Sequence, residues 1–274
     1  MMLENKTAAI YGGGGAIGGA VARAFAGAGA RVYLAGRSMS RLEKVASDIG
    51  DAGGVAEVDA LDERAVAAHA DAVAADAGGI DIALNAVSFP FVHDTPFAEL
   101  AVDDVMHPID AYLRTNLITT KAVARHMTAR RSGTILTLSA GASRVLPPGS
   151  LGYGTTCAAI ETMTQRLAVE LGPGGVRVNC LRAHLIADAP SNGSYTGELI
   201  RRRVAPAGIS VEQWLGRWQE DVTLLGRLPT LAHVADAAVF VASDRAGAIT
   251  GSVIDLTCGN AVRTSAGTLV GVLD

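Results

Sequence analysis

A glycine-rich loop near the N-terminus constrains the fold more than any other part of the chain. An apolar run at residues 8–11 leads into four consecutive glycines, Gly12, Gly13, Gly14 and Gly15, and an alanine-rich helical stretch follows. Glycine lets the backbone turn tightly and approach a ligand. The N-terminus of the following helix supplies N–H donors and the positive end of its dipole. This arrangement predicts a pyrophosphate-binding site.

Strand-like and helix-like runs alternate along the rest of the chain. Strands are predicted at residues 7–11, 31–35, 55–58, 81–85, 134–138, 176–180 and 253–256. Helices are predicted at 17–28, 40–49, 63–77, in a long stretch ending near Met127, and at 151–171. The alternation predicts an α/β fold: one Rossmann-type domain over residues 1–274, with a doubly wound parallel sheet and its site at the carboxyl ends of the strands.

Composition narrows the possible partners. The chain has 274 residues and is 49% apolar, with a net charge of −4 and no basic stripe, so nucleic acid is not expected to bind. The three cysteines lack CxxC spacing, which argues against a disulfide framework and suits the reducing cytoplasm. The histidines lack metal-ligand spacing, and neither a signal peptide nor a membrane span is expected.

Residues 189–228 depart from the alternating pattern. They contain Pro190, Pro206 and a predicted helix at 211–224, and we interpret the segment as a helical substrate lid. The run Arg201 to Arg203 is a solvated face by default, or a site for an anionic substrate group. Trp214 and Trp218 lie one helical turn apart and could cover an apolar substrate or pack the lid onto the core.

Residues at the ends of the predicted strands suggest which dinucleotide binds. The loop satisfies the Gly13-x-Gly15-x-x-Gly18 pattern at a strand-to-helix junction, and Ile17 lies within it. An acid after the second strand would bind a ribose 2′-hydroxyl, but Arg37 and Ser38 stand there instead. Arg37 could hold a 2′-phosphate in a bidentate contact, which favours NADP(H), or it could be a solvated surface residue.

Two further polar residues follow predicted strands. Asp59 comes after the third strand, where it could approach the adenine or serve as a turn or cap residue. Asn85 ends the fourth strand and is expected near the centre of the cofactor.

Together these segments resemble the short-chain dehydrogenase/reductase superfamily over almost the whole chain. The resemblance rests on the glycine loop with Tyr11 in place of Thr, on Asn85-Ala86-Val87-Ser88, on residues 132–139 and 175–179, on Leu225-Gly226-Arg227, and on residues 248–251. It implies a nicotinamide-dependent oxidoreductase that assembles as a homotetramer or homodimer.

The superfamily's usual chemistry implies an Asn–Ser–Tyr–Lys tetrad. Tyr153 falls in register with the Tyr, whereas Cys157 takes the place of the Lys that would lower the Tyr pKa and hold the nicotinamide ribose. A protonated Tyr153 can still donate a proton to a developing alkoxide, so it is the predicted proton donor. Cys157 is expected to fill space rather than act as a thiolate, because no cation is near it in sequence.

The other two tetrad positions are also substituted. The Ser position falls on Ala140, beside Ser139, and the Asn position falls on Tyr112, one helical turn before Asn116. Ser139 is the second predicted catalytic residue, with Ser143 as a further candidate. Ser139 could instead be a hydroxyl at the strand end that bonds to the backbone. Ser143 could instead be an ordinary loop residue. Tyr112 is expected to pack within its helix.

Three functions are compatible with these residues. The leading prediction is an NADP(H)-dependent oxidoreductase that reduces a carbonyl or related C=X group of a small organic substrate. The first alternative is a non-redox dehydratase, isomerase or lyase, in which Tyr153 polarises an oxygen and His184 moves protons. His184 could supply an acid near neutral pH, or be a solvated loop residue. The second alternative is a catalytically silent NADP(H)-binding protein.

Overall fold

Seven parallel strands form one sheet in the order β3-β2-β1-β4-β5-β6-β7. The computed structural model describes residues 1–50, 53–145 and 148–262. The strands are β1 Thr7–Tyr11, β2 Arg31–Gly36, β3 Gly53–Glu57, β4 Ile82–Asn85, β5 Gly133–Ala140, β6 Val176–Ala183 and β7 Val253–Leu256. The strand order reverses between β1 and β4, and a crevice opens at the carboxyl ends of the strands at such a point.

Eight α-helices in the described part of the chain accompany the sheet. They are α1 Ala16–Gly27, α2 Met39–Ile49, α3 Glu63–Ala77, α4 Val102–Ala129, α5 Leu151–Leu171, α6 Thr196–Val204, α7 Val211–Val222 and α8 Leu231–Ala242. No helix within the three described ranges is both long enough and apolar enough to cross a membrane.

The helices cover both faces of the sheet, and β1 shows why. Ala8 and Ile10 join one hydrophobic cluster with residues of α1, α2 and α8, whereas Ala9 and Tyr11 join a second cluster with residues of α3, α4 and α5. Successive strand residues point to opposite faces, so a strand that is buried on both faces needs an unbroken apolar run. The predicted doubly wound α/β fold is confirmed.

The predicted elements are present, with some different bounds. At their carboxyl ends β5 continues two residues and β6 three residues further into the site than predicted, and Ser139 pairs with Arg182 in the parallel register. These polar residues are tolerated because both are buried with hydrogen-bond partners. Helix α7 ends at Val222 rather than at 224. Helices α6 and α8 were not predicted, although Thr230 and His233 form a capping box at the start of α8.

Candidate active site

A cavity of about 980 Å³ opens along the carboxyl edge of the sheet. The glycine loop and the ends of β2 and β3 line one half of it, which we call the cofactor half. The ends of β5 and β6, the loop after β4 and the lid helices line the other half, which we call the substrate half. Parallel strands bring all these segments to one edge, so the predicted site residues lie around a common space.

The glycine loop has no room for side chains. Gly12 has φ +81°, and a Cβ added there would lie 2.6 Å from the Ala86 carbonyl carbon. A Cβ on Gly18 would lie 2.3 Å from the Gly12 carbonyl oxygen. Helix α1 begins without a side-chain cap, and Gly19 is the residue whose N–H bonds to the Gly15 carbonyl, at 2.8 Å. The preceding amides of the first turn therefore remain available to a bound anion.

Gly13 packs closely against β2, and Gly14 packs closely against α2. A Cβ on Gly13 would meet the Leu34 side chain at 2.9 Å, and one on Gly14 would meet the Arg41 Cβ at 2.8 Å. Arg41 is exposed and lines the cofactor half, so it adds a second guanidinium that the sequence reasoning missed. Its position in the first turn of α2, a few residues after Arg37, is the signal that could have found it.

The end of β2 carries the predicted cofactor-selecting residues. Arg37 and Ser38 are exposed and line the cavity. The Arg37 guanidinium lies 6.0 Å from the centroid of the Phe89 ring, across the cofactor half, and the Ser38 hydroxyl lies 3.3 Å from that of Ser40. No ion pair or side-chain hydrogen bond engages the Arg37 guanidinium among the described residues, so it is free to meet a phosphate.

Asp59 and Asn85 both line the cavity, and both have local structural contacts. The Asp59 carboxylate accepts a hydrogen bond from the Leu61 amide at 3.0 Å, which is the turn role considered for it. Asn85 is buried; its Nδ2 donates to the Thr119 hydroxyl at 3.0 Å and its Oδ1 accepts from the Val87 amide at 3.1 Å. Asn85 therefore fixes the loop that passes over the glycine turn.

Tyr153 lies in the first turn of α5, in the substrate half. Its ring centroid is 4.6 Å from that of Phe91 and 5.7 Å from that of His93, both edge-on. Burial, with smaller contributions from Cys157, Tyr195 and Tyr112, raises the pKa of Tyr153 well above its ordinary value. The phenol is therefore protonated at neutral and moderately alkaline pH.

Cys157 lies one helical turn after Tyr153 and is hydrogen-bonded to it. Its side chain is buried, and burial raises the pKa of the thiol to about 12. A thiol in this state is neutral and does not stabilise a tyrosinate. These contacts favour the packing role expected for Cys157 over a thiolate nucleophile.

A buried ionic network lies directly beneath the substrate half. Glu161 Oε1 accepts hydrogen bonds from the hydroxyls of Ser139 at 2.8 Å and Ser143 at 2.6 Å, and from Arg182 Nε at 2.7 Å. Arg182 Nη2 donates to Glu161 Oε2 at 2.7 Å, and Nη1 donates to Asp255 at 3.0 Å. Burial alone would raise the pKa of Glu161, but these hydrogen bonds lower it below its ordinary value.

The sequence reasoning missed Glu161 and Arg182. Both side chains are only 8% exposed. An arginine inside the otherwise apolar run of β6 was the available signal, because a buried charge requires a partner. The Ser139 hydroxyl donates its hydrogen bond to the Glu161 carboxylate rather than toward the cavity that Ser139 lines.

Tyr112, at the position predicted to replace the tetrad Asn, also has defined contacts. The Tyr112 hydroxyl donates to the Phe89 carbonyl at 3.1 Å and accepts from the Phe89 amide at 2.9 Å, while its ring stacks on Phe91 at 5.1 Å. Tyr112 is thus a wall of the cavity rather than a residue packed only within its helix. Asn116 Nδ2 donates to the Tyr112 carbonyl at 2.9 Å, and its buried Oδ1 has no partner.

His184 directly follows β6 and is half-buried, in contact with the lid rather than surrounded by solvent. Its ring stacks on Trp218, with centroids 6.3 Å apart, and its Nε2 accepts a hydrogen bond from Trp218 Nε1–H at 3.3 Å. Burial lowers the pKa of His184 to about 4. The neutral imidazole therefore carries its proton on Nδ1.

The His184 environment predicts a pH-dependent stability. The imidazole of an unfolded chain takes up a proton at a pKa of about 6.5, whereas that of the folded chain does so near 4. The contribution of His184 to stability is therefore complete above about pH 6.5 and is lost as the pH falls toward 4. An NMR titration should give a midpoint near 4 for the His184 imidazole, whose signal is identified by its loss in His184→Gln. A midpoint near 6.5 would contradict the lowered pKa of His184.

The lid forms its own small core against the end of β6. Trp214 is buried and stacks on Trp218 with centroids 5.0 Å apart, and both rings line the cavity. Arg201 and Arg202 pair with Glu198 at the surface, as expected of a solvated face. The third arginine of the run behaves differently, as described next.

Arg203 connects the lid to the loop after β4. Its guanidinium forms an ion pair with Asp94 and lies 6.0 Å from the Trp214 ring centroid. The Asp94 amide also donates to the Gly149 carbonyl at 3.1 Å. The lid is thus held against the loops that border the substrate half, while Arg203 is neutralised and not free for an anion.

Comparison with known proteins agrees with this geometry. A profile of the family described as Enoyl-(Acyl carrier protein) reductase matches residues 14–260. The galactitol 2-dehydrogenase (L-tagatose-forming) of Cereibacter sphaeroides is 31% identical over 95% of this chain and 96% of its own length. A 3-oxoacyl-(acyl-carrier-protein) reductase of Chlamydia muridarum is 28% identical over 95% of this chain and 99% of its own length.

Solved structures show the same likeness. A short-chain type dehydrogenase/reductase from Mycobacterium ulcerans superposes with a TM-score of 0.84 at 25% identity, covering 96% of this chain and 92% of that one. The sheet order, the glycine loop and these matches along nearly the full length lead to one conclusion. This chain belongs to the short-chain dehydrogenase/reductase superfamily of oxidoreductases, which bind the nicotinamide cofactors NAD or NADP.

Proposed function

We propose that this protein is an NADP(H)-dependent reductase of a carbonyl or related C=X group in a small organic substrate, with Tyr153 as the proton donor. The observation that supports this most is that a protonated Tyr153 faces the same cavity as the glycine loop. Residues 189–228 would act as the lid over the substrate half.

The residues of the cofactor half suit a dinucleotide. Side chains are excluded from the glycine loop, and the first amides of α1 are open to a pyrophosphate. Arg37 and Ser38 would hold a 2′-phosphate, with no carboxylate of β2 nearby to repel it. The proposed cofactor-binding residues are Gly12, Gly13, Gly14, Gly15, Ile17, Gly18, Arg37, Ser38, Asp59 and Asn85. A bound reduced nicotinamide would supply a hydride to the carbonyl carbon.

Tyr153 and Ser139 would act on the substrate oxygen. Tyr153 donates its phenolic proton to that oxygen as negative charge develops there. Ser139 can turn its own O–H toward the same oxygen, because Glu161 keeps its hydrogen bonds from Ser143 and Arg182. The reverse oxidation requires a tyrosinate, which the raised pKa of Tyr153 disfavours. The protonated phenol is the form that reduction requires.

Calorimetry and turnover together test this function. The purified protein is titrated with NADPH and with NADH, and a carbonyl panel is then screened by the loss of NADPH absorbance. Tighter binding of NADPH and carbonyl-dependent oxidation are the expected results. Binding without turnover would instead support a catalytically silent protein, and product formation without any absorbance change would support a non-redox enzyme.

Arg37→Gln should weaken NADPH binding while leaving NADH binding unchanged. Hydrogen bonds to charged groups contribute about 1.5–3 kcal/mol, which corresponds to roughly a 10- to 150-fold change in Kd. The control is Arg23→Gln, since Arg23 pairs with Asp48 outside the cavity. An equal loss of NADH affinity in Arg37→Gln would show that Arg37 does not bind the 2′-phosphate that distinguishes NADPH from NADH.

We also propose a homodimer or homotetramer in the cytoplasm. Support for assembly comes from apolar side chains on α4 and α5 that are about half or more exposed: Val102, Met106, Leu117, Leu151 and Val169. Light scattering that finds a monomer would contradict the assembly.

A further inference from the structure

The aromatic residues of this chain are concentrated at one place. Aromatic residues make up only 4% of the sequence, twelve in all, and eight of the twelve line the cavity. Tyr11 is the one of these eight that lies at the cofactor half, beside His69. Seven rings therefore surround the space in and next to the substrate half. Such a distribution differs from that of a chain that uses aromatic residues to fill its core.

The first group of rings lies on the loop after β4 and on helices α4 and α5. Phe91 is its centre: it stacks on Tyr112 at 5.1 Å and meets Tyr153 edge-on at 4.6 Å. Phe89 meets Tyr112 edge-on at 5.3 Å. This group, which we call the loop aromatic group, holds the proposed proton donor within it.

The second group lies on the lid and the end of β6. Trp214 and Trp218 stack on each other, and His184 stacks on Trp218. Tyr195, just before α6, completes this lid aromatic group on the lining of the cavity. The lid therefore contributes π surface, and not only apolar bulk, to the substrate half.

Several of these rings are incompletely covered by protein. Phe91, Tyr112, Tyr153, Tyr195 and Trp218 are half-buried and line the cavity. Aromatic surface that faces a cavity rather than the core is a binding surface for a ligand. Ring pairs in stacked or edge-on geometry gain affinity beyond their buried area, so these walls discriminate in favour of aryl groups.

Charge in the substrate half also restricts the ligand. Arg203 and Asp94 neutralise each other, and the other two charged side chains that line this half, Arg144 and Asp221, are exposed to water and opposite in sign. The charges of these four side chains therefore sum to zero. An ionised group buried among the aromatic rings would lose its hydration.

We infer that the substrate half binds uncharged aryl carbonyl compounds, with an aryl ring against the loop and lid aromatic groups and the carbonyl oxygen toward Tyr153. The inference rests on the proposed reductase function only in taking the ligand to be a carbonyl compound. The aromatic selectivity stands on the ring positions alone.

A matched pair of ketones tests the inference. Benzophenone and dicyclohexyl ketone have the same carbon skeleton, and only benzophenone has π faces. Each is titrated into the protein saturated with NADP⁺, which prevents turnover, and binding is followed by tryptophan fluorescence and calorimetry. The two tryptophans of the chain both line the cavity, so their emission reports its occupancy.

Benzophenone should bind about tenfold more tightly than dicyclohexyl ketone, although the saturated ketone is the more hydrophobic of the two. Phe91→Leu should reduce this preference to about twofold or less, whereas Phe240→Leu, on α8 outside the cavity, should leave it unchanged. Equal or tighter binding of the saturated ketone, or no measurable binding of benzophenone, overturns the inference. The comparison in the unmodified protein remains decisive if Phe91→Leu fails to fold.

Turnover separates this inference from the proposed function. Selective binding of benzophenone, when NADPH reduces no carbonyl compound of the panel, supports the aryl site and overturns the reductase. Reduction of saturated ketones in preference to aryl ketones supports the reductase and overturns the aryl site.

Discussion

Tyr153→Phe should lower kcat/KM for carbonyl reduction by about 100- to 10,000-fold, the range typical for loss of a general acid. The phenyl ring keeps the edge-on contacts with Phe91 and His93, so the cavity retains its shape and only the donated proton is lost. The affinity for NADPH should remain unchanged, because Tyr153 lies in the substrate half.

The pH profile of the unmodified protein provides a second measurement of the same role. Burial and the neighbouring thiol and phenols keep the pKa of Tyr153 above its ordinary value, so its acid form persists through moderately alkaline pH. Reduction should therefore show no decline in rate between neutral pH and about pH 10 that belongs to this tyrosine. A loss with a midpoint within that range would mean that a cation lowers the pKa of Tyr153.

Tyr33→Phe is the matched control for this substitution. Tyr33 lies outside the cavity, and its hydroxyl donates to Asp76 at 2.5 Å. The Tyr33→Phe variant should keep its activity. If Tyr153→Phe also keeps its activity, the proton comes from another group and the proposed mechanism is wrong.

Glu161→Gln should destabilise the protein by about 3 kcal/mol at neutral pH, the lower end of the range for breaking a buried ion pair. The substitution leaves the Arg182 guanidinium, only 8% exposed, with the partly exposed Asp255 as its remaining carboxylate. It also places an amide where two serine hydroxyls donate. Urea unfolding at fixed protein concentration measures the change in the free energy of unfolding.

Two comparisons identify the buried charge as the cause. Glu63→Gln removes a carboxylate that pairs with Lys121 at the surface, and it should have no measurable effect. The double variant Glu161→Met with Arg182→Met removes both charges and should recover much of the lost stability. An equally destabilised double variant would assign the effect to packing instead.

Acid should abolish the difference between the Glu161→Gln variant and the unmodified protein. The folded-state pKa of Glu161 lies below its ordinary value, so its contribution to stability is present above that value and is lost as the pH falls through the folded pKa. The two unfolding free energies should therefore converge as the pH falls below the folded-state pKa of Glu161.

The buried network of Glu161, Arg182 and Asp255 bears on the predicted loss of the Lys from the superfamily's tetrad. At the Lys position, Cys157 brings no charge to Tyr153. Arg182 is a buried cation, but Glu161 and Asp255 neutralise it beneath the strand ends. In the proposed mechanism the electrostatic assistance to proton transfer from Tyr153 would accordingly be weak, and positioning of the hydroxyls would contribute more.

The sequence by itself determined the sheet, the helices α1 to α5 and the place of the dinucleotide loop. These features have local physical causes: strands buried on both faces must be apolar throughout, and the turn at Gly12 excludes any Cβ. The prediction that residues at the strand ends share one site follows from the same parallel topology, because every carboxyl end lies at one edge.

Only the tertiary structure decided the state of individual side chains. Glu161 and Arg182 are 21 residues apart, and His184 and Trp218 are 34 apart, so no local pattern joins them. Burial sets the pKa of His184, and hydrogen bonds from three distant side chains set that of Glu161. The gathering of aromatic rings around Tyr153 likewise depends on how the loop after β4, helix α4 and the lid meet, because contact between distant segments is a property of the folded chain and not of its local sequence.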